Sequence, residues 1–213
     1  EAFKYFIKKK IPLFIEKPIS NSYKNFLNIK KFGKTNSYFV HYQHIYSEPI
    51  YYLKKCLKKE KLISLNIDFG KNGPMKNINS SYEWLPHPLS IFFYLTNKNL
   101  NIYPKYSKYL NKKKTNIHIN GNIKNEFFLN IKSGNNFSRR KYFIEINTNK
   151  KIYRYNATSP KKMIIITLNN NQKKIIKFKS FPLESSIRNF NNIINNNEKK
   201  ILILKQNKKI TDK

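Results

Sequence analysis

The clearest pattern along the chain is a period of two in its second half. Ile117 and Ile119 alternate with polar residues, Asn120-Gly121 follows as a hairpin turn signal, and 123–132 reads as the return strand. Residues 141–147 alternate again, Thr148-Asn149-Lys150 makes a turn, and 151–157 comes back. Runs at 163–168 and 175–181, joined through 169–172, form a third pair. Six such runs with short polar links predict an antiparallel meander, or a partial barrel. A helix over 185–195 places Ile187, Phe190 and Ile194 on one side, and 201–204 reads as a last short strand.

The first half is less regular. In residues 1–35, Phe3, Tyr5, Phe6, Ile7, Ile11, Leu13, Phe14 and Ile15 are interrupted by Lys8, Lys9 and Lys10, while Pro12 and Pro18 argue against one long helix, so an extended basic arm is expected. Residues 37–46 are aromatic and β-branched enough for a strand. Ser47-Glu48-Pro49 then opens a helix predicted over 48–61, with Ile50, Leu53 and Leu57 on one stripe. On its other side Lys54 and Lys58, and Lys55 and Lys59, are like-charged i,i+4 pairs, each costing about 0.2–0.5 kcal/mol unless an anion lies along them. A strand over 62–68, a loop over 69–81, a short helix over 89–96 and a polar loop over 97–114 complete the region.

The fold class read from this is α+β: a mixed N-terminal region with a basic helix, then an antiparallel β-meander or partial barrel and a C-terminal helix. The divisions are an extended basic arm (1–35), an α+β region with long loops (36–114), a β-rich domain with the C-terminal helix (115–204) and a basic tail (205–213).

Charge changes the picture more than any motif. Lys and Arg number 43 against 11 Asp and Glu, a formal net charge of +32 over 213 residues. A free protein so charged repels itself and binds polyanions, so a large polyanion, nucleic acid above all, is the expected neutraliser. Aromatics at 15% separate the chain from disordered basic tails. Lys is preferred to Arg 39 to 4, with 32 Asn and 2 Ala, a substitution toward AT-rich codons. Lysine replaces arginine where a point charge near phosphate suffices, not where a fork is needed.

Candidate chemistry is sparse. His41 and His44 are three apart in a predicted strand and so point to opposite faces, and His87 and His118 have no acidic or thiol neighbour in sequence, so no metal site is expected. Cys56 reads as a structural thiol. The acids form no recognisable pair, no glycine-rich phosphate loop is present, and no catalytic residue and no cofactor are expected. There is no apolar run of membrane-spanning length. What stands out is basic clusters with interleaved aromatics. The candidate RNA-binding residues are Lys8, Lys9, Lys10, Lys54, Lys55, Lys58, Lys59, Lys112, Lys113, Lys114, Arg139, Arg140, Lys141, Arg154, Lys161 and Lys162. Arg139 and Arg140, kept against the codon bias in a predicted loop, are expected to contact phosphate bidentately or stack on a base, the alternative being a carboxylate partner such as Glu126 or Glu145. Tyr103, Tyr106 and Tyr109, set between lysines, could stack on unpaired bases or cover the surface.

In composition and punctuation the whole chain resembles the organelle-encoded ribosomal proteins of ciliate mitochondria, and less closely those of apicomplexan plastids. That resemblance implies a structural, non-enzymatic constituent of a mitochondrial ribosome in the matrix. Its partners would be rRNA and neighbouring ribosomal proteins, with no small-molecule substrate. The competing readings are a basic peripheral subunit of an organellar respiratory complex and a nucleic-acid enzyme such as a maturase.

Overall fold

A computed structural model describes residues 2–9, 11–20, 22–32, 38–73, 83–100, 105–107 and 116–195. Five α-helices and ten strands occur among them: α1 (Ala2–Lys8), β1 (Leu13–Ile15), α2 (Tyr23–Phe32), β2 (Tyr38–Val40), α3 (Glu48–Cys56), β3 (Leu62–Asn72), α4 (Pro86–Thr96), β4 (Lys105–Ser107), β5 (Asn116–Ile123), β6 (Phe127–Gly134), β7 (Asn136–Thr148), β8 (Lys151–Asn156), β9 (Lys162–Thr167), β10 (Lys173–Lys177) and α5 (Pro182–Asn195). The fold is therefore mixed, with helices packed on a mostly antiparallel sheet.

Eight strands form that sheet, in the order β10-β9-β8-β7-β3-β6-β5-β4. The three expected pairs are present as β5/β6, β7/β8 and β9/β10. They do not run on as a meander, because β3 inserts between the first two, parallel to β6 and antiparallel to β7. The sheet stays open, with β10 and β4 at its edges, so it is not a partial barrel. β3, from the N-terminal side of residue 114, is a central strand of this sheet. Sequence periodicity cannot supply this: alternation fixes which face a residue occupies, not which strand lies beside it.

Inner-face residues Leu65, Ile67 and Phe69 of β3, Ile144 and Ile146 of β7, Leu129 and Ile131 of β6, and Tyr153 and Tyr155 of β8 are buried. Two helices cover them. On α4, Ile91, Phe92, Phe93, Tyr94 and Leu95 are all buried, as an all-apolar helix requires. It ends at Asn97, whose left-handed backbone (φ 55°) closes the last turn. On α3, Ile50 and Leu53 face inward as expected, but the helix ends at Cys56 rather than at residue 61. Tight turns through Lys58–Glu60 carry the Glu60 carboxylate inward, where it accepts hydrogen bonds from Tyr153 Oη (2.9 Å) and Thr148 Oγ1 (2.7 Å). Lys58 and Lys59 thus lie past the helix end, and Lys54 Nζ donates to the Tyr94 carbonyl of α4 instead of facing an anion.

Other local expectations shift for identifiable reasons. Residues 2–8 and 23–32 are helical, not an extended arm; Pro12 and Pro18 fall in the segment between the two helices. The hairpin turn sits at Lys124 and Asn125, both with positive φ (49° and 58°), while Asn120 and Gly121 pair with Asn130 and Leu129 inside the ladder. The buried series Ile117, Ile119 and Ile123 sets that register, and the turn follows from it. Gly70 lies where β3 meets β6: a Cβ there would stand 2.3 Å from the Gly134 carbonyl oxygen and 2.4 Å from the Phe137 ring. On α5, Phe190 packs on Phe14 and Phe39 (ring centroids 5.1 and 5.8 Å), whereas Ile187 and Ile194 are exposed. Among the described residues no helix is long and apolar enough to cross a membrane.

Candidate active site

Strands β1 and β2 are parallel, Leu13 opposite Tyr38 and Ile15 opposite Val40, so their carboxyl ends emerge side by side. In open α/β architectures that edge is where ligands bind. Here it delivers Glu16 and Lys17 from one strand and His41 from the other, held by a hydrogen bond from His41 N to the Ile15 carbonyl (2.7 Å). The Lys17–Pro18 peptide is cis. After His41 the chain does not continue as a strand. It coils into a 3-10 turn, Gln43–Tyr46, that carries the buried His44, near enough for a charge on His41 to oppose its protonation. His87, between Pro86 and Pro88 at the start of α4, completes the cluster.

Lys17 donates to the backbone carbonyl of Glu83 and lies 3.8 Å from its carboxylate, with 9% of its side chain exposed. Burial lowers its pKa, and the charges of Glu83 and Glu16 oppose that shift. The His44 and His87 rings lie edge to face, 5.3 Å between centroids. Burial, then the positive charge of Lys17, then His41 and Arg140, drive His44 down to about 3. His87 is also held well below the ordinary imidazole value, by burial and then by Lys17, His44 and His41. Both rings are therefore neutral at physiological pH beside a buried ammonium group. His41 Nδ1 meets Glu16 Oε1 at 2.6 Å.

The walls are aromatic. Phe69 of β3 and Tyr142 of β7 stack at 4.8 Å, and Phe69 is 4.9 Å from His44 and 5.7 Å from His87. Trp84 is 6.0 Å from Tyr142 and 6.3 Å from His87. Three buried ring nitrogens, His41 Nε2, His44 Nδ1 and Trp84 Nε1, have no hydrogen-bond partner among the described residues. Groups of this kind are costly to bury unpaired and mark a place where a polar ligand is received. A neutral imidazole next to an ammonium donor can take a proton from a hydroxyl, or return one to a carbonyl oxygen, while the ammonium stabilises the oxygen's charge. No group of His, Cys, Asp and Glu able to hold a metal occurs among the described residues.

The basic residues singled out in the sequence do not converge. Lys8 and Lys9 lie at the exposed end of α1, while Lys10 and Lys112–Lys114 fall outside the described residues, as do Tyr103, Tyr109 and the basic tail. Lys55 lies over Tyr51 (4.6 Å), Lys161 over Phe181 (4.2 Å), and Lys162 on β9 faces Lys177. Arg154 pairs with Glu145 (2.7 Å) and Lys141 with Asp68 (2.5 Å). Arg139 and Arg140 are exposed and belong to β7, not to a loop. Glu126 is taken by Lys98 (2.5 Å) and Glu145 by Arg154, and the Arg140 guanidinium instead stacks on Tyr142, 4.6 Å from the ring centroid. That stacking brings Arg140 to the rim of the lysine–histidine cluster.

No protein-family model and no curated protein matches the chain. Solved structures do. A dehydrogenase (MviM) from Clostridium difficile aligns over 100% of this chain and 76% of its own, with a TM-score of 0.74 at 16% identity. A Gfo/Idh/MocA family oxidoreductase from Vibrio cholerae aligns over 98% and 70%, TM-score 0.73, 15% identity. KijD10, a 3-ketoreductase from Actinomadura kijaniata solved with TDP-benzene and NADP, aligns over 98% and 70%, TM-score 0.79, 8% identity. At these identities the likeness is one of fold, a mixed α/β architecture shared with these solved structures.

This corrects the expectation of a non-enzymatic ribosomal constituent bound to rRNA and ribosomal proteins, with no small-molecule substrate. The solved structures that share the fold are dehydrogenases and reductases, not ribosomal proteins. Its buried polar centre is a lysine with histidines rather than a phosphate-binding face. The charge misled because most of the lysines are spread over exposed positions, several of them paired or stacked. Sequence reasoning missed Lys17, His44, His87, Trp84 and Tyr142. One signal was present: a charged Glu16-Lys17 directly after an apolar run and before a proline, where a strand end is exposed only if something binds there.

Proposed function

We propose that this protein is an oxidoreductase acting on a small hydroxyl- or carbonyl-bearing substrate, and that Lys17, His44 and His87 form the proton-handling half of its active site. The observation that carries the reading is the pair of neutral, touching imidazoles beside a buried lysine, at the carboxyl ends of parallel strands in this fold. An alcohol that would pass hydride from carbon to an external two-electron acceptor must also shed the proton on its oxygen. His87, half-buried and so open on one side, accepts that proton as a neutral base. Lys17, fixed by Glu83, donates a hydrogen bond to the same oxygen and stabilises its developing charge. His44, fully enclosed, orients His87 and keeps water off it. In the reducing direction the proton returns to the carbonyl oxygen by the same route.

The dinucleotide named for the ketoreductase neighbour is held elsewhere by a glycine-rich turn opening a helix. The residues here do not fit that role. Gly70, Gly121 and Gly134 lie in strands, Gly73 directly follows β3, and the five glycines of the chain make no G-x-G-x-x-G. No step is therefore assigned to a dinucleotide held by these residues.

The test is turnover. The protein is incubated with a nicotinamide cofactor and a panel of sugars, sugar acids and nucleotide sugars, and the nicotinamide absorbance is followed. At least one substrate should be oxidised or reduced, and His87→Ala should lower kcat by about 10²- to 10⁴-fold, the usual share of general acid–base catalysis. Absence of turnover across the panel, or full activity in the variant, overturns the reading.

A further inference from the structure

Strand β10 ends the large sheet on the side away from β4 and is paired with β9 alone among the described residues. Its hydrogen bonds fix which backbone groups are free. The Gln172 carbonyl accepts from Thr167 N (3.0 Å) and Phe178 N donates to the Lys161 carbonyl (2.7 Å), so the even-numbered positions face β9. In an antiparallel ladder the alternate positions then turn their N–H and C=O outward. Those positions are Lys173, Ile175 and Lys177, whose side chains lie on the face opposite the buried Met163 and Ile165. The register with β9 is unbroken, so no bulge turns this edge away. Ile175 is 55% exposed, and Lys162, directly across from Lys177, adds a third positive charge to the same face. Like charges opposite one another cost stability. None of these three lysines has an ion-pair partner among the described residues, where the carboxylates are engaged elsewhere: Asp68 with Lys141, Glu126 with Lys98, Glu145 with Arg154 and Glu184 with Arg188.

We propose that β10 receives an extended acidic segment of a partner protein, added to the edge of the sheet as a further strand. The outward N–H and C=O groups of Lys173, Ile175 and Lys177 are matched by a polypeptide backbone, whereas a nucleic acid or a lipid headgroup meets the charge but not the amides. A second copy of this chain is the wrong occupant: pairing two β10 strands about Ile175 sets Lys173 against Lys177, like charge on like. Lysines on an edge repel such a strand and select one that carries acids. The alternation sets the partner's pattern. Acids fall opposite Lys173 and Lys177 and an apolar residue falls opposite Ile175, which gives Glu-x-Ile-x-Glu. The inference is independent of the oxidoreductase reading, because β10 contributes no residue to the lysine–histidine cluster.

The probe is a fluorescently labelled peptide containing Glu-Thr-Ile-Thr-Glu, titrated with the full chain at about 0.15 M ionic strength to screen diffuse attraction. A saturable rise in anisotropy is expected. Lys177→Glu sets like charges opposite one another and should weaken binding about 10-fold or more. Lys132→Glu makes the same charge change on β6, five strands away, and should weaken it far less. Both lysines are exposed, so both variants keep the fold. Hydrogen exchange should show the amides of Lys173, Ile175 and Lys177 protected by the peptide. The same peptide N-methylated along its backbone keeps its charge but loses its donors, and should bind about 10-fold or more weakly. No saturable binding, equal weakening by Lys132→Glu, or undiminished binding of the N-methylated peptide overturns the proposal. So does a single-stranded oligonucleotide of equal charge that binds as tightly as the peptide while the three amides stay unprotected.

Discussion

Replacing His44 by Phe separates the electrostatics of the cluster from its packing. His44 is 6% exposed, its Nδ1 is unpartnered, and it sits among Phe69, His87 and Tyr142. The charged groups that act on it are Lys17, His41 and Arg140, all raising the cost of protonation. Its pKa falls from 6.5 in the unfolded chain to about 3 in the folded one. The unfolded state therefore binds the extra proton between those values, and stability falls as pH drops through that window. At pH 5 the unfolded imidazole is protonated and the folded one is not. The gap of about 1.5 pH units below 6.5 corresponds to about 2 kcal/mol lost relative to pH 8, at 1.36 kcal/mol per unit. A phenyl ring fills similar space and leaves no nitrogen unpaired, so His44→Phe should match or exceed wild-type stability at pH 8. Urea unfolding of both proteins at pH 8 and pH 5 gives the comparison. The wild type should lose about 2 kcal/mol more than the variant over that interval. An identical pH dependence in the two proteins would refute the claim that His44 is held neutral by its surroundings.

Further outcomes follow from the packing. Gly70→Ala should destabilise by about 2 kcal/mol or more, read as a lower urea midpoint, because the new methyl meets the Gly134 backbone and the Phe137 ring. Glu60→Ala removes the acceptor of Tyr153 Oη and one of the two acceptors of Thr148 Oγ1, which keeps the Lys151 carbonyl, and should cost about 1–3 kcal/mol in the same assay, with Glu60→Gln recovering part of it. Glu48 accepts from Lys179 N and Ser180 Oγ (both 2.8 Å), and these bonds outweigh its burial and lower its pKa. Stability from Glu48 is thus present above the ordinary carboxylate range and lost as pH falls through the folded pKa, a dependence that Glu48→Gln should flatten.

How much of this was legible in the sequence varies by kind of information. Alternation located β5 to β10, because period two directly marks a half-buried strand. The Ser47-Glu48-Pro49 start of α3 was also readable, although Ser47 Oγ donates to the His44 carbonyl instead of capping the helix. The place of β3 was not legible, since parallel pairing with β6 across more than fifty residues leaves no local trace. The site failed for a related reason. His41 and His44 at i,i+3 face apart in a strand, but the chain leaves the strand after Val40, and the 3-10 turn seats His44 against Phe69 and His87. Lys17 and His87 are seventy residues apart and meet only through tertiary packing. Among 39 lysines, the one that matters was concealed by the other 38, because abundance reports on codon usage and net charge rather than on burial.

The most direct measurement compares turnover of a panel substrate by the wild type, Lys17→Met and His87→Ala. The account predicts turnover in the wild type and a loss of kcat of at least about 10²-fold in each variant. No turnover in the wild type, or turnover undiminished in both variants, would contradict it.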